Sequence, residues 1–447
     1  MLASTLLLSA ASARASGFST ARFGGEHGHP TTANPTAIYY NPASLTSSEG
    51  THLFADGMFV LRRASYTHLP APSDVPAPPD ARDANTGEAT LTNFAAVPMF
   101  AASTRFGQLA LGAGVHVPFG GGETWGKHAT FADHPRYPGP VDGVQRWYSI
   151  EGSIQSLYFT LAAAYPLADT GLAIGLSGNL IHSLVDTVTA RTVLGNDDIS
   201  IEGRSRLNVS GWQASFGVGV SYEALRNQLW LGASYQARPN VVNGMVLRGK
   251  LHNNFTGSED VTPVDFYQDL PDVIRVGARY RPDSRWELRL FGDYTRWSAF
   301  ENQCVSRRDE PCSLNPDGSS QTGSGAIQNV PRNWNDAFGI RAGVSAWIEP
   351  DLELFTGVGY DSNAVPDATL EPSLMDYDDV SLALGARYEL ASGLFLAGSC
   401  TEFLNVPRDN RGKSTHPTHA APSNGPDAGG QYAEWVLLVN LDIELIF

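Results

Sequence analysis

No run of about 18 apolar residues occurs anywhere in the 447-residue chain, so a spanning helix is excluded. Charge is scarce as well. Only 17% of residues are Asp, Glu, Lys or Arg, against roughly a quarter in soluble domains. Lys and Arg are the rarer sign, 30 against 46 acidic residues, giving a formal net charge of -16. That balance argues against a nucleic-acid partner. Three cysteines cannot make a disulfide framework. Cys304 and Cys312 share the loop "ENQCVSRRDEPCSLNPDG" and could close a local disulfide or remain two separate thiols. Cys400 is left over on a predicted strand.

Chemical motifs are missing too. "FGGGETWGKH" lacks the spacing of a phosphate loop, and no Gly-x-Ser-x-Gly nucleophile turn occurs. His27 and His29 in "HGH" have only the Glu26 carboxylate beside them and no thiol, which is poor metal ligation. They are expected to hydrogen-bond to other parts of the fold. The acidic stretch "YDSNAVPDATLEPSLMDYDD" lacks the EF-hand spacing and reads as a solvated loop. No enzyme, cofactor or metal follows from these patterns; a barrel lipase or protease is the runner-up from another class.

What the chain has in quantity is period-two alternation, with 45 glycines and 10% aromatics. In the final stretch, "YAEWVLLVNLDIELIF", every second residue from Ala433 to Phe447 is apolar, while Glu434, Asn440, Asp442 and Glu444 fall between. "LYFTLAAAYPL", "SGWQASFGVGVSY", "WELRLFGDY" and "VSLALGARYEL" repeat the pattern. Fourteen such segments are predicted, at 51–66, 91–105, 109–118, 154–166, 171–189, 204–224, 228–250, 264–281, 285–299, 334–348, 352–363, 378–390, 394–406 and 432–447. Short turns alternate with long polar links between them. An even count of this kind describes an antiparallel transmembrane β-barrel in a bacterial outer membrane. Closure pairs every backbone group, as a hydrocarbon environment requires. A soluble β-sandwich would show the same alternation, but around one shared core of limited size.

The N-terminus supplies an address. "MLASTLLLSAASARAS" carries a short apolar run, Leu6 to Ala11, then the small-residue pattern Ala13-Arg14-Ala15. Residues 1–15 are read as a signal peptide, although its first residues lack Lys and Arg. Residues 16–50 are rich in Gly, Thr, Asn and Pro and show no periodicity. They are expected to form a compact irregular unit, with the barrel occupying 51–447.

On these residues the chain resembles the FadL family of long-chain fatty-acid outer-membrane transporters. "GFSTARFGGEHGHPTTANPTAIYYNPASL" is similar to the family's N-terminal hatch, and Asn41-Pro42-Ala43 match its Asn-Pro-Ala motif. "LFGDYTRWSAF", the stretch from "NWNDAFG" to "ALGARYEL" and the last strand resemble later strands and loops. The resemblance implies a monomeric fourteen-stranded barrel with the hatch inside its periplasmic end. It also implies passive uptake of hydrophobic molecules without nucleotide or metal. Long-chain fatty acids lead as cargo; aromatic hydrocarbons are the alternative. Phe447 resembles the C-terminal aromatic that the outer-membrane assembly machinery reads. Outer-membrane lipid and lipopolysaccharide are the expected surroundings. In the family, ligand leaves sideways beside a kinked strand. Pro118 and Gly120, at the end of the third strand, could break this one, since proline donates no ladder bond; an ordinary strand end reads equally well.

The lumen-facing parity also carries apolar residues, among them Tyr158, Trp230, Phe291, Trp347 and Phe355, with Val436 and Leu438. Some of these are expected to line an internal pocket or to pack the hatch. Phe18 and Phe23 are candidates for coupling the hatch to ligand.

Overall fold

A computed structural model describes residues 21–168 and 170–447. The predicted signal peptide and Phe18 lie outside these residues. Alternating segments become long strands: β1 (Thr51–His68), β2 (Gly87–Phe106), β3 (Leu109–Thr124), β4 (Glu151–Leu167), β5 (Leu172–Arg191) and β6 (Gly203–Leu225). Shorter ones follow: β7 (Leu229–Gln236), β8 (Val246–Asn253), β9 (Asp260–Tyr267), β10 (Val273–Tyr280), β11 (Trp286–Thr295), β12 (Asn302–Arg307) and β13 (Ala326–Pro331). The rest are β14 (Ala337–Glu349), β15 (Leu352–Asp361), β16 (Asp379–Ala391), β17 (Leu394–Asn405), the two-residue β18 (Arg408–Asp409) and β19 (Gly430–Ile446).

Fourteen of them close one antiparallel wall: β1 to β7, then β10, β11, β14, β15, β16, β17 and β19. The seal is made by the chain's two ends. β19 lies antiparallel to β1 from His52–Ile446 to His68–Gly430. No edge is left unpaired there, which removes the template for aggregation that an open sheet offers.

Four predicted strands are corrected in the same region. The segment 228–250 is two strands, β7 and β8, and 264–281 is β9 and β10. The segment 285–299 ends its strand at Thr295 and turns into a short 3-10 helix, Trp297–Ala299, before β12. The segment 334–348 starts later, at Ala337, with β13 preceding it. The interruptions contain Pro239 with Asn240 at φ 48°, Pro271, and Asn333 at φ 46°, two residues after Pro331. Proline removes a ladder donor and a positive φ turns the backbone out of the sheet. β8, β9, β12 and β13 therefore form a separate upper sheet that continues the wall beyond this waist, joined to it through β6.

Period two separates the faces. Phe94, Leu161 and Leu384 are each about 70% exposed, as lipid-facing side chains must be in the absence of lipid. Rings mark both borders of the apolar band. At the outer border, Tyr235 donates to Asp272 at 2.7 Å, Tyr360 to Asp378 at 3.1 Å, and Tyr294 to Asp336. At the opposite end stand Tyr222, Trp286, Tyr388 and Phe447. From Trp286 to Tyr294 along β11, about 3.4 Å per residue at a 40° tilt gives about 20 Å. With the reach of the rings, that suits an outer-membrane core.

Candidate functional site

Residues 21–48 lie inside the wall, against strands on all sides. The reason is visible at Asn41, which is fully buried. Its carboxamide Nδ2 donates to Pro30 O at 2.8 Å and to Val220 O of β6 at 2.9 Å, while Oδ1 accepts from Ala43 N at 3.1 Å. Asn41 thereby caps the 3-10 helix Pro42–Ser47, with Pro42 at the first position, where its missing N–H costs nothing. The helix Ala37–Tyr40 precedes it. Ahead of these, Arg22 pairs with Asp361 of β15 at 2.8 Å and His27 Nε2 meets Glu353 Oε1 at 2.9 Å. Gly24 N donates to Asp56 of β1, also at 2.8 Å. His29 accepts from Thr31 within its own turn.

The lumen around this segment has two unlike sides. On β10, β11, β14 and β15 it is charged: Arg275, Arg289, Arg341, Glu287, Glu353 and Asp361 face inward, largely paired with one another. On β17, β19, β1 and β2 it is oily. Phe403, Val436, Leu438, Met58, Val60, Ala95 and Val97 form one buried cluster with Phe23. Apolar area removed from water at roughly 25 cal/mol per Å² favours holding Phe23 there.

The wall itself opens beside the oily side. The β2–β3 ladder starts at Phe106–Leu109 and ends at Met99–His116. Above that pair, the ladder partners of Gly87–Pro98 lie on β1 and those of the rest of β3 on β4, apart from an isolated bridge between Leu91 and Trp125. The β3–β4 register shifts between His116 and Phe119, with Pro118 in the shifted stretch and Gly120 just after it. Asn93 Nδ2 donating to Gly122 O at 2.6 Å and Gly126 N to Thr90 O at 2.9 Å close the top of the gap. Phe94 and Phe100 flank it on the lipid side, and Ala95 and Val97 on the lumen side.

Further out, a cavity of about 140 Å³ lies under the extracellular loops. Its floor is apolar, with Ile154, Val185, Leu207, Phe266 and Val305, and it reaches β3 at Gly121 and Gly122. Arg191, at the end of β5, also lines it and has no ion-pair partner among the described residues. The loops 362–378 and 407–429 form the roof. There Arg332 donates to Glu371, to Gln303 Oε1 at 2.9 Å and to Ser373 Oγ at 3.3 Å. Burial works against the charge of Glu371, but Arg332 and Ser373 outweigh it and hold its carboxyl below the usual range. Burial pushes His416 down to about 4, with Glu371 opposing. The Cys304–Cys312 disulfide, Cα–Cα 6.4 Å, ties off a hairpin whose Gly318 O accepts from roof residue Ser423.

These two groups give the roof an acid dependence. An opened roof exposes His416 at its ordinary 6.5 and Glu371 at its ordinary 4.5, so the open form binds more protons. Stability is complete above about pH 6.5 and is lost as pH falls toward 4. The histidine alone accounts for a loss on the order of 3 kcal/mol over that window. Amide exchange in 366–376 and 414–428 should accelerate from pH 7.5 to pH 4, and His416→Gln should flatten the part above pH 4.5.

None of the aromatic candidates among the described residues lines this cavity. Phe355 packs its ring 4.7 Å from His27, and Phe291 lies 5.8 Å from His29, so both face the N-terminal segment. Trp230 and Trp347 stack under Arg279 and Arg281, each at 4.2 Å, near the short turns. Tyr158 belongs to a file of rings across the lumen. Phe23 is 5.5 Å from His116, which is 5.6 Å from Tyr158; Phe119 and Trp297 continue it toward Trp334. Arg191, Phe119, Trp297, Trp334 and the Arg332–Glu371 pair were not anticipated. Phe119 sits at the register shift within β3 and the others on a strand end and in loops, where periodicity carries no signal. Cys400 is exposed and unbonded on β17.

Residues 2–397 match the family model described as outer membrane protein transport protein (OMPP1/FadL/TodX). The long-chain fatty acid transport protein of Escherichia coli strain K12 is 21% identical over 193 residues, 41% of this chain and 40% of the relative. The chain therefore aligns with less than half the length of that relative. Among solved structures, a Pseudomonas aeruginosa FadL homologue superposes with a TM-score of 0.75 at 14% identity, covering 98% of this chain and 100% of the other. The Ralstonia pickettii toluene transporter TbuX gives 0.62 at 17%, covering 93% and 94%. The Pseudomonas putida toluene transporter TodX gives 0.64 at 14%, with the same coverage. At these identities the structures speak for the fold, a closed fourteen-stranded barrel. With the family model spanning most of the sequence, the chain belongs to the OMPP1/FadL/TodX family and is a protein of the bacterial outer membrane.

Proposed function

We propose that this protein passes long-chain fatty acids across the outer membrane by diffusion. The observation that carries the choice of cargo is Arg191, a cation without an ion-pair partner among the described residues, on a cavity with an apolar floor. A half-buried guanidinium without a counter-ion is costly, and a carboxylate bound there would relieve that cost. The acyl chain then has an oily way down. The ring file leads to the cluster of Met58, Val60, Ala95, Val97, Val436 and Leu438, which borders the gap between β2 and β3. Exit through that gap delivers an apolar molecule to hydrocarbon without crossing the charged side of the lumen. Residues 21–50 act as the hatch that blocks the straight path. No step needs a nucleotide, a metal or a covalent change, and one barrel suffices.

A second reading rests on the cavity's size. About 140 Å³ holds roughly one benzene ring, and an apolar cavity near 150 Å³ is known to admit benzene. Monoaromatic hydrocarbons fit the closed form; an acyl chain requires the space below to open. Binding to protein purified in detergent separates the two. Arg191→Met should weaken oleate binding about tenfold to a hundredfold, as expected for losing a hydrogen bond to a charged group, and leave toluene binding unchanged. Equal oleate affinity in both proteins would remove the fatty-acid reading.

A further inference from the structure

Rings from opposite walls bridge the bore. Below its register shift, β3 faces inward at even positions: a Cβ on Gly112 or Gly114 would strike Ile38, and His116 is buried beside Tyr158. One extra residue between His116 and Phe119 moves the inward side to odd positions, so Phe119, opposite Ser156, is the buried residue there. A bulge re-aims side chains in this way. From the other side, the break at the waist ends β11 at Thr295 and turns the chain through the 3-10 helix Trp297–Ala299. β3 and β11 stand six strands apart one way round the wall and eight the other. Their rings nevertheless meet, Phe119 and Trp297 edge to face at 6.0 Å.

Two more rings fix Trp297. Trp334 lies 4.9 Å from it, and Phe300, 4.8 Å from Trp334, completes the group. Trp334 N donates to Phe300 O at 3.4 Å, and Arg332 N and Asn333 N donate to Glu301 O at 2.8 and 3.0 Å. The turn is thereby pinned to the link ahead of β14. All four rings share one buried cluster with Ile154, Val185, Leu207, Phe266 and Val305, the floor of the outer cavity. On the other side, Tyr158 and His116 lead from Phe119 to Phe23 in the oily cluster, which is separate. A partition of rings therefore lies between the two apolar spaces.

We propose that Trp297, braced on Phe119, sets the size of molecule that the outer cavity accepts at full affinity. About 140 Å³ holds roughly one ring or a chain of about six carbons. Each methylene buried within it tightens binding about fourfold, the transfer value for a CH₂. Carbons beyond the sixth meet the indole, and displacing a close-packed ring offsets what their burial would add. The proposal rests on the reading of that cavity as the ligand site, and is independent of which cargo is carried.

Two ligand series test it on the full-length protein in detergent: carboxylates from butyrate to palmitate, and alkylbenzenes from toluene to octylbenzene. Affinities are referred to free ligand in water. In the wild type, tightening should stop at about six to eight carbons in both series. In Trp297→Ala it should continue, so that laurate and octylbenzene bind at least about tenfold tighter than to the wild type, while butyrate changes less than about threefold. Phe119→Leu, a smaller change to the same contact, should move the break in the same direction and replaces Trp297→Ala if that variant does not fold. Uniform tightening of the wild type up to palmitate overturns the proposal, and so does a variant profile parallel to the wild type's. A break with alkylbenzenes, and no carboxylate bound at all, supports the proposal and removes the fatty-acid cargo. Carboxylates held through Arg191 with no break in either series do the reverse.

Discussion

Filling the gap should stop uptake. Replacing Ala95 and Val97 with tryptophan puts two large rings on the β2 edge where the ladder to β3 is missing. Both side chains are small and buried on the lumen face, so the new rings have only the gap to enter. Overpacking of this kind costs about 1–3 kcal/mol per site, which a sealed barrel tolerates. Oleate uptake by cells lacking their own transporter should fall at least about tenfold. Oleate binding to the purified variant should be unchanged, because the cavity and Arg191 lie on other strands. Loss of uptake with retained binding locates the exit. Undiminished uptake would show that the cargo leaves by another route.

The gap also shows what the sequence could and could not tell. Its chemical cause was legible: Pro118 cannot donate and Gly120 weakens pairing. Whether these residues ended a strand or split two strands was not, because that depends on what β2 does opposite them. The wall as a whole was legible, since lipid on one side and lumen on the other impose alternation over ten or more residues. The waist was not. Pro239 and Pro271 lie in segments whose flanks alternate correctly, so periodicity joins each into one strand, whereas Pro331 lies in a link where periodicity gives no sign of β13. Only when four neighbours break at one level does the separate upper sheet appear. Parity identified Phe291 and Phe355 as inward-facing, and they meet the N-terminal segment. Parity alone could not distinguish that role from lining a ligand cavity, and it placed Trp230 and Trp347 without showing the arginines above them. The cavity was hardest to foresee. Arg191 matters because no ion-pair partner meets it among the described residues, and a missing partner is a three-dimensional fact.

The motif read by resemblance, Asn41-Pro42-Ala43, now has a physical account with its own consequence. Asn41→Ala removes two donors and one acceptor at a position with no solvent exposure. Pro30 O keeps its bond from Ser44, so that loss is softened. Val220 O and Ala43 N lose the side-chain partner that the wall's Gly219 makes room for. At about 1–3 kcal/mol for each buried group left unmade, the segment around Asn41 should lose roughly 2–5 kcal/mol of local stability. The barrel is closed by other residues, so it should still assemble and resist detergent. The lumen should not stay blocked. In planar bilayers the variant should show ionic conductance that the wild type lacks, and Asn41→Asp should conduct too, because a carboxylate cannot donate to Val220 O or Pro30 O. A silent Asn41→Ala would mean that the segment's other contacts alone retain it, and that the carboxamide serves assembly of the barrel instead.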